Sequence, residues 1–144
     1  MNMNVYYSEA KDLFPGVLLD KSSGKFRIFG TSCPMEPFEF FDPILNWLES
    51  YSKDPPEETV LELNLNYFNT SSSKFLLKIF YILENMKKDG HEVQVDWYYS
   101  EEDDDMQEDA EEFENIVDLD FDLIPVKDDL AGEDINWDET VFEI

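Results

Sequence analysis

The chain has 144 residues, 42% of them hydrophobic and 15% aromatic, which is enough apolar material for one packed domain. Its formal net charge of −25 is uneven: residues 1–90 hold 9 Lys/Arg against 13 Asp/Glu, whereas residues 91–144 hold 1 basic residue, Lys127, against 22 acids. Phosphate contacts need Lys and Arg, so this balance argues against direct binding of nucleic acid or anionic lipid, and no apolar run is long enough to cross a bilayer as a helix.

In chain order, Val17-Leu18-Leu19 and Phe26-Arg27-Ile28-Phe29 flank the turn-rich Asp20-Lys21-Ser22-Ser23-Gly24 and predict a β-hairpin. Phe38, Phe41, Ile44, Leu45, Leu48 and Tyr51 then recur every three or four positions, the spacing of a helix with one apolar face. Pro37 suits its first turn. Pro43 lacks an amide hydrogen and is expected to bend or restart the helix, which Lys53-Asp54-Pro55-Pro56 ends. Leu61-Glu62-Leu63-Asn64-Leu65-Asn66-Tyr67 alternates strictly, as a strand does. Directly after Asn69-Thr70-Ser71-Ser72-Ser73, a second helix is marked by Phe75, Leu76, Ile79, Ile82, Leu83 and Met86, with Asp89-Gly90 as its stop signal.

Val93, Val95 and Trp97 predict the next strand, with Trp97 in the core and Tyr98 facing outward. Residues 101–114 read as an acidic, solvent-facing helix whose sparse apolar side is Met106, Ala110 and Phe113. Phe121-Asp122-Leu123-Ile124-Pro125 predicts a last strand, and Pro125 places it at an edge. The order β-β-α-β-α-β-α-β implies an α/β domain over residues 1–126, a mixed sheet with helices packed on it. Residues 127–144 form an acidic tail, either disordered or docked through Ile135, Trp137, Val141, Phe142 and Ile144.

Catalytic chemistry finds little support. Cys33 is the single cysteine, so intramolecular disulfides and cysteine-based zinc sites are out of reach, and a reducing cytoplasm is the expected home. His91 is the single histidine, which removes histidine triads and multi-histidine metal sites. Asp103-Asp104-Asp105 lacks the glycine and spaced ligands of a calcium loop, and no Gly-rich phosphate loop is present. The expectation is a protein that is not an enzyme and carries no cofactor.

The sharpest local feature is the junction Tyr67-Phe68-Asn69-Thr70-Ser71-Ser72-Ser73-Lys74. A strand feeding a helix start leaves backbone amides unpaired, and the helix dipole makes that end favourable for anions. A phosphate on Thr70 finds donors there, and Lys74, one turn on, adds a charge-assisted contact. An ordinary helix cap by Asn69, Thr70 or Ser71 is the commoner use of such residues, so the pattern alone favours capping over regulation.

That junction, together with Phe41-Asp42-Pro43-Ile44-Leu45-Asn46-Trp47-Leu48, Val95-Asp96-Trp97-Tyr98-Tyr99 and the acidic run through Glu111-Glu112-Phe113, resembles the SiaC family of bacterial regulatory phosphoproteins. The resemblance runs from about Gly16 to Pro125 in the same order and spacing. It implies a STAS-like fold, similar to anti-sigma-factor antagonists, and phosphorylation of the threonine in an Asn-Thr-Ser-Ser motif, which here is Thr70. It also implies a SiaB-like protein kinase, a metal-dependent PP2C-type phosphatase, and an effector such as a diguanylate cyclase that the unmodified form binds and stimulates. Cyclic-di-GMP signalling and biofilm regulation follow from that. The expected partner surface is the start of the second long helix: Asn69, Ser71, Ser72, Lys74 and Lys78 around Thr70, with Ser71 and Ser72 as other conceivable acceptors. An alternative from charge alone is an acidic nucleic-acid mimic that blocks a DNA-binding protein.

Overall fold

The hairpin signal is realised by strands β2 (Gly16–Asp20) and β3 (Lys25–Ser32), and an extra strand β1 (Val5–Ser8) pairs antiparallel with β2. In the hairpin turn Asp20 Oδ1 accepts from the Ser22 amide at 3.1 Å, and Gly24 takes φ 69°, where its missing Cβ matters. The computed structural model describes residues 4–133. After β3 the chain alternates: α1 (Pro37–Ser52), β4 (Glu58–Phe68), α2 (Thr70–Lys88), β5 (Glu92–Ser100), α3 (Asp104–Ile116) and β6 (Asp120–Val126).

Six strands form one sheet in the order β1-β2-β3-β4-β5-β6, antiparallel through β3 and parallel from β3 to β6. The class is the expected mixed α/β sheet. The order gains β1, whose four residues carry no turn or periodicity signal of their own. Pro125 does lie on an edge strand, β6, as its missing amide requires.

One sheet face carries Val17, Leu19, Phe26, Ile28, Leu61, Leu63, Leu65, Val95 and Trp97, all buried with the apolar stripes of α1, α2 and α3 in a single core. The parallel strands therefore share one helical layer. Phe41, Ile44, Leu48 and Tyr51 form the stripe of α1, and the helix runs through Pro43 without a break. Pro43 does not restart it.

The opposite face is covered differently. Tyr98 is only 2% exposed, not outward as alternation predicts, because it packs with Val126, Phe29, Ile124 and Leu130. The cover is the chain after β6. Ser100 Oγ donates to Asp128 Oδ1 at 2.6 Å, and Asn64 Nδ2 donates to the Leu130 and Glu133 carbonyls at 3.0 and 3.2 Å. The first residues of the acidic tail are thus docked on the sheet, whereas Ile135, Trp137, Val141, Phe142 and Ile144 lie outside the described residues.

Candidate functional site

The end of β4 and the start of α2 are fixed by a small polar knot. The Asn69 amide donates to the Ser32 carbonyl at 3.1 Å, tying the junction to the neighbouring β3. Asn69 is the helix cap: its Oδ1 accepts from the Ser72 amide at 2.9 Å, and its Nδ2 donates to Cys33 Sγ at 3.3 Å. Ser72 Oγ donates to the Ser32 carbonyl at 2.9 Å and lies 2.8 Å from Ser32 Oγ. Asn69→Ala is expected to lower stability by about 1 kcal/mol, the usual cost of losing an N-cap, as read by chemical denaturation.

The knot sorts the sequence-derived site residues. Thr70 and Ser71 are exposed, as are Lys74 and Lys78, and Asn69 is half-buried. Ser72 is 0% exposed, so it is not a partner contact or an acceptor in the folded state. The correction follows from helical spacing: Ser72 lies one turn before Leu76, on the buried stripe that continues through Ile79 and Leu83.

With the Ser72 amide bound to Asn69 Oδ1 and the Ser73 amide to the Asn69 carbonyl, the amides of Thr70 and Ser71 have no acceptor among the described residues. They point an unopposed partial positive charge at the first turn. Lys74 and Lys78 follow at one-turn intervals, neither paired with a carboxylate among the described residues. Lys78 Nζ sits 4.9 Å from the Phe75 ring centroid, and Phe75 stacks on Phe41 at 4.9 Å, which steadies this face.

Beside the helix start lies a cleft of about 350 Å³ between α2 and α3. Thr70, Ser73, Lys74 and Leu77 form one wall, and Asp109, Glu112, Phe113 and Ile116 the other. Sequence reasoning took α3 as a solvated acidic helix and missed that two of its carboxylates face Thr70. Asp109 titrates above the ordinary aspartate range, first because burial desolvates it and then because Glu112, Asp105, Asp103 and Glu108 oppose its charge. A raised acid pKa penalises the folded state once the group is ionised. Asp109→Asn is therefore expected to raise the melting temperature at neutral pH, and the gain should vanish as pH falls below the ordinary aspartate value.

Among the described residues no group of three or more His, Cys, Asp or Glu could hold a metal ion, and no helix is long and apolar enough to cross a membrane. The site offers an exposed threonine, two amides without an acceptor among the described residues, and two exposed lysines.

Residues 8–126 match the family model described as SiaC family regulatory phosphoprotein. The chain belongs to the SiaC family. An uncharacterized protein of Pseudomonas aeruginosa (strain UCBPP-PA14) is 32% identical over 99 residues, 69% of this chain and 79% of that protein. The crystal structure of apo-SiaC from Pseudomonas aeruginosa superposes with a TM-score of 0.77 at 28% identity, covering 83% of this chain and 97% of the other. SiaC in the crystal structure of the diguanylate cyclase SiaD with its activator SiaC, also from Pseudomonas aeruginosa, gives 0.78 at 28% identity, covering 82% and 97%. The family match stops at β6, so the tail segment docked on the far sheet face lies beyond it.

Proposed function

We propose that this SiaC-family protein is a binding module switched by reversible phosphorylation of Thr70. A SiaB-like protein kinase transfers the terminal phosphoryl group of a nucleoside triphosphate to Thr70 Oγ1, with loss of the hydroxyl proton. A metal-dependent PP2C-type phosphatase hydrolyses the new P–O bond, returning threonine and inorganic phosphate. In the unmodified state the start of α2, with Asn69, Ser71, Lys74 and Lys78, binds an effector of the diguanylate cyclase class. The description of SiaC as the activator of SiaD supports that choice of effector. Regulation of biofilm formation through cyclic-di-GMP is the corresponding physiological reading, and the cytoplasm is where it operates.

The observation that carries the proposal is the exposed Thr70 hydroxyl on the first turn of α2, beside two amides without acceptors. A phosphate there adds about −1.5 to −2 charge, to which the two amides and Lys74 offer hydrogen-bond donors. In a desolvated interface the same charge opposes binding unless the partner supplies cations. One modification thus redirects the protein among partners.

The site assignment is tested by phosphopeptide mapping of protein purified from its native cells. The expected result is a modified peptide containing Thr70 and no modification in Thr70→Ala. A phosphate found at another residue, or retained in that variant, contradicts the assignment.

A further inference from the structure

We infer that Asp109 and Glu112 are the second half of the switch: a phosphate on Thr70 repels them across the shared cleft and loosens α3 from the sheet. The inference rests on Thr70 being the acceptor and adds the regulation of that site. Both carboxylates are exposed on the wall of the same cleft of about 350 Å³ as Thr70 and Lys74, a space comparable in width to the ~8 Å Debye length at physiological salt.

The charge balance of that cleft decides the direction. Among the described residues Lys74 is the single cation lining it, across from Asp109 and Glu112. A phosphate on Thr70 recruits Lys74, its neighbour one turn along α2, and leaves the two carboxylates facing a doubly charged group. The rest of α3 offers no relief: its sequence, Asp-Asp-Met-Gln-Glu-Asp-Ala-Glu-Glu-Phe-Glu-Asn-Ile, contains no basic residue. Asp109 already sits in surplus negative potential before any phosphate arrives.

The helix is held in a way that lets it respond. Only Met106, Ala110 and Phe113 of α3 are buried, and the Asp103 side chain caps its start by accepting from the Met106 amide at 3.0 Å. Phe113 is the main anchor. It stacks on Trp97 at 5.7 Å and meets Phe80 edge-on at 5.2 Å. Phe113 is also a cleft residue next to Glu112, so a push on the carboxylates is delivered at the anchor. Elements with few buried contacts open at low free energy, and α3 buries three residues where α2 buries seven.

The test compares hydrogen exchange of the full chain carrying phosphothreonine at 70, installed during translation, with that of the unmodified chain. Amides of residues 109–116 should exchange about tenfold faster in the phosphorylated protein at low salt, and the difference should shrink at about 0.5 M salt. In Asp109→Asn/Glu112→Gln, which lowers the repulsion and keeps the shape, phosphorylation should leave exchange nearly unchanged. Equal exchange in the modified and unmodified wild type overturns the inference, as does an acceleration that persists in the double variant. Phosphorylation-dependent effector binding with an unmoved α3 sinks this inference alone and leaves the Thr70 switch standing. Effector binding indifferent to phosphate sinks the switch itself.

Discussion

Ser72→Asp is expected to destabilise the protein by about 3 kcal/mol or more, whereas Ser71→Asp, one residue away, changes stability by less than about 0.5 kcal/mol. Ser72 Oγ donates to the Ser32 carbonyl from a position 0% exposed. An aspartate there has no proton to donate, meets a carbonyl oxygen with an uncompensated negative charge, and adds volume where none is available. The side chain of Ser71 is exposed at the same helix start, where a carboxylate is favoured by the dipole. Urea denaturation of the two variants checks the contrast. Comparable losses in both would mean that the buried knot beneath the acceptor is not as described.

Trp97→Ala should cost about 3–5 kcal/mol and lower the melting temperature by roughly 10 °C. Trp97 is 0% exposed and is ringed by Phe68 at 6.2 Å, Phe80 at 6.2 Å and Phe113 at 5.7 Å. Truncation removes the surface on which Phe113 rests, so α3 should loosen along with the global loss. Its indole Nε1 has no hydrogen-bond partner among the described residues, so Trp97→Phe should cost much less, with little polar penalty to set against the lost volume. Thermal scans of both variants give the comparison; a mild Trp97→Ala would show that the aromatic cluster does not hold the third helix in place.

Much of the fold is legible because its elements obey simple periods. The strict alternation of Leu61, Leu63 and Leu65, and the three-to-four spacing of Leu76, Ile79 and Leu83, state which faces are buried before any coordinates exist. The terminators Asp89-Gly90 and Lys53-Asp54-Pro55-Pro56 lie where α2 and α1 stop. β1 escapes notice because Val5–Ser8 is short and is specified by its partner β2, through pairs such as Tyr7 with Leu18. Tyr98 escapes because its burial depends on Leu130, some thirty positions further on and beyond the alternating strand pattern.

The candidate site is legible to the same depth. That a cap lies within Asn69-Thr70-Ser71 follows from local sequence, whereas the structure is what makes Asn69 the cap and leaves Thr70 exposed. Ser72 could have been excluded by placing it on the helical wheel four positions before Leu76. The acidic wall is harder. Nothing local says that Asp109 and Glu112 face Thr70, because that proximity is made by two separate crossovers, β4–α2–β5 and β5–α3–β6, that lay α3 beside the start of α2.

The central claim is that the state of one hydroxyl decides whether this surface is occupied. Titration calorimetry of the proposed effector, a diguanylate cyclase, against the protein, unmodified and fully phosphorylated at Thr70, measures that claim directly. The account predicts at least about a tenfold weaker association of the phosphorylated form, equivalent to about 1.4 kcal/mol. Identical dissociation constants for the two forms would contradict it.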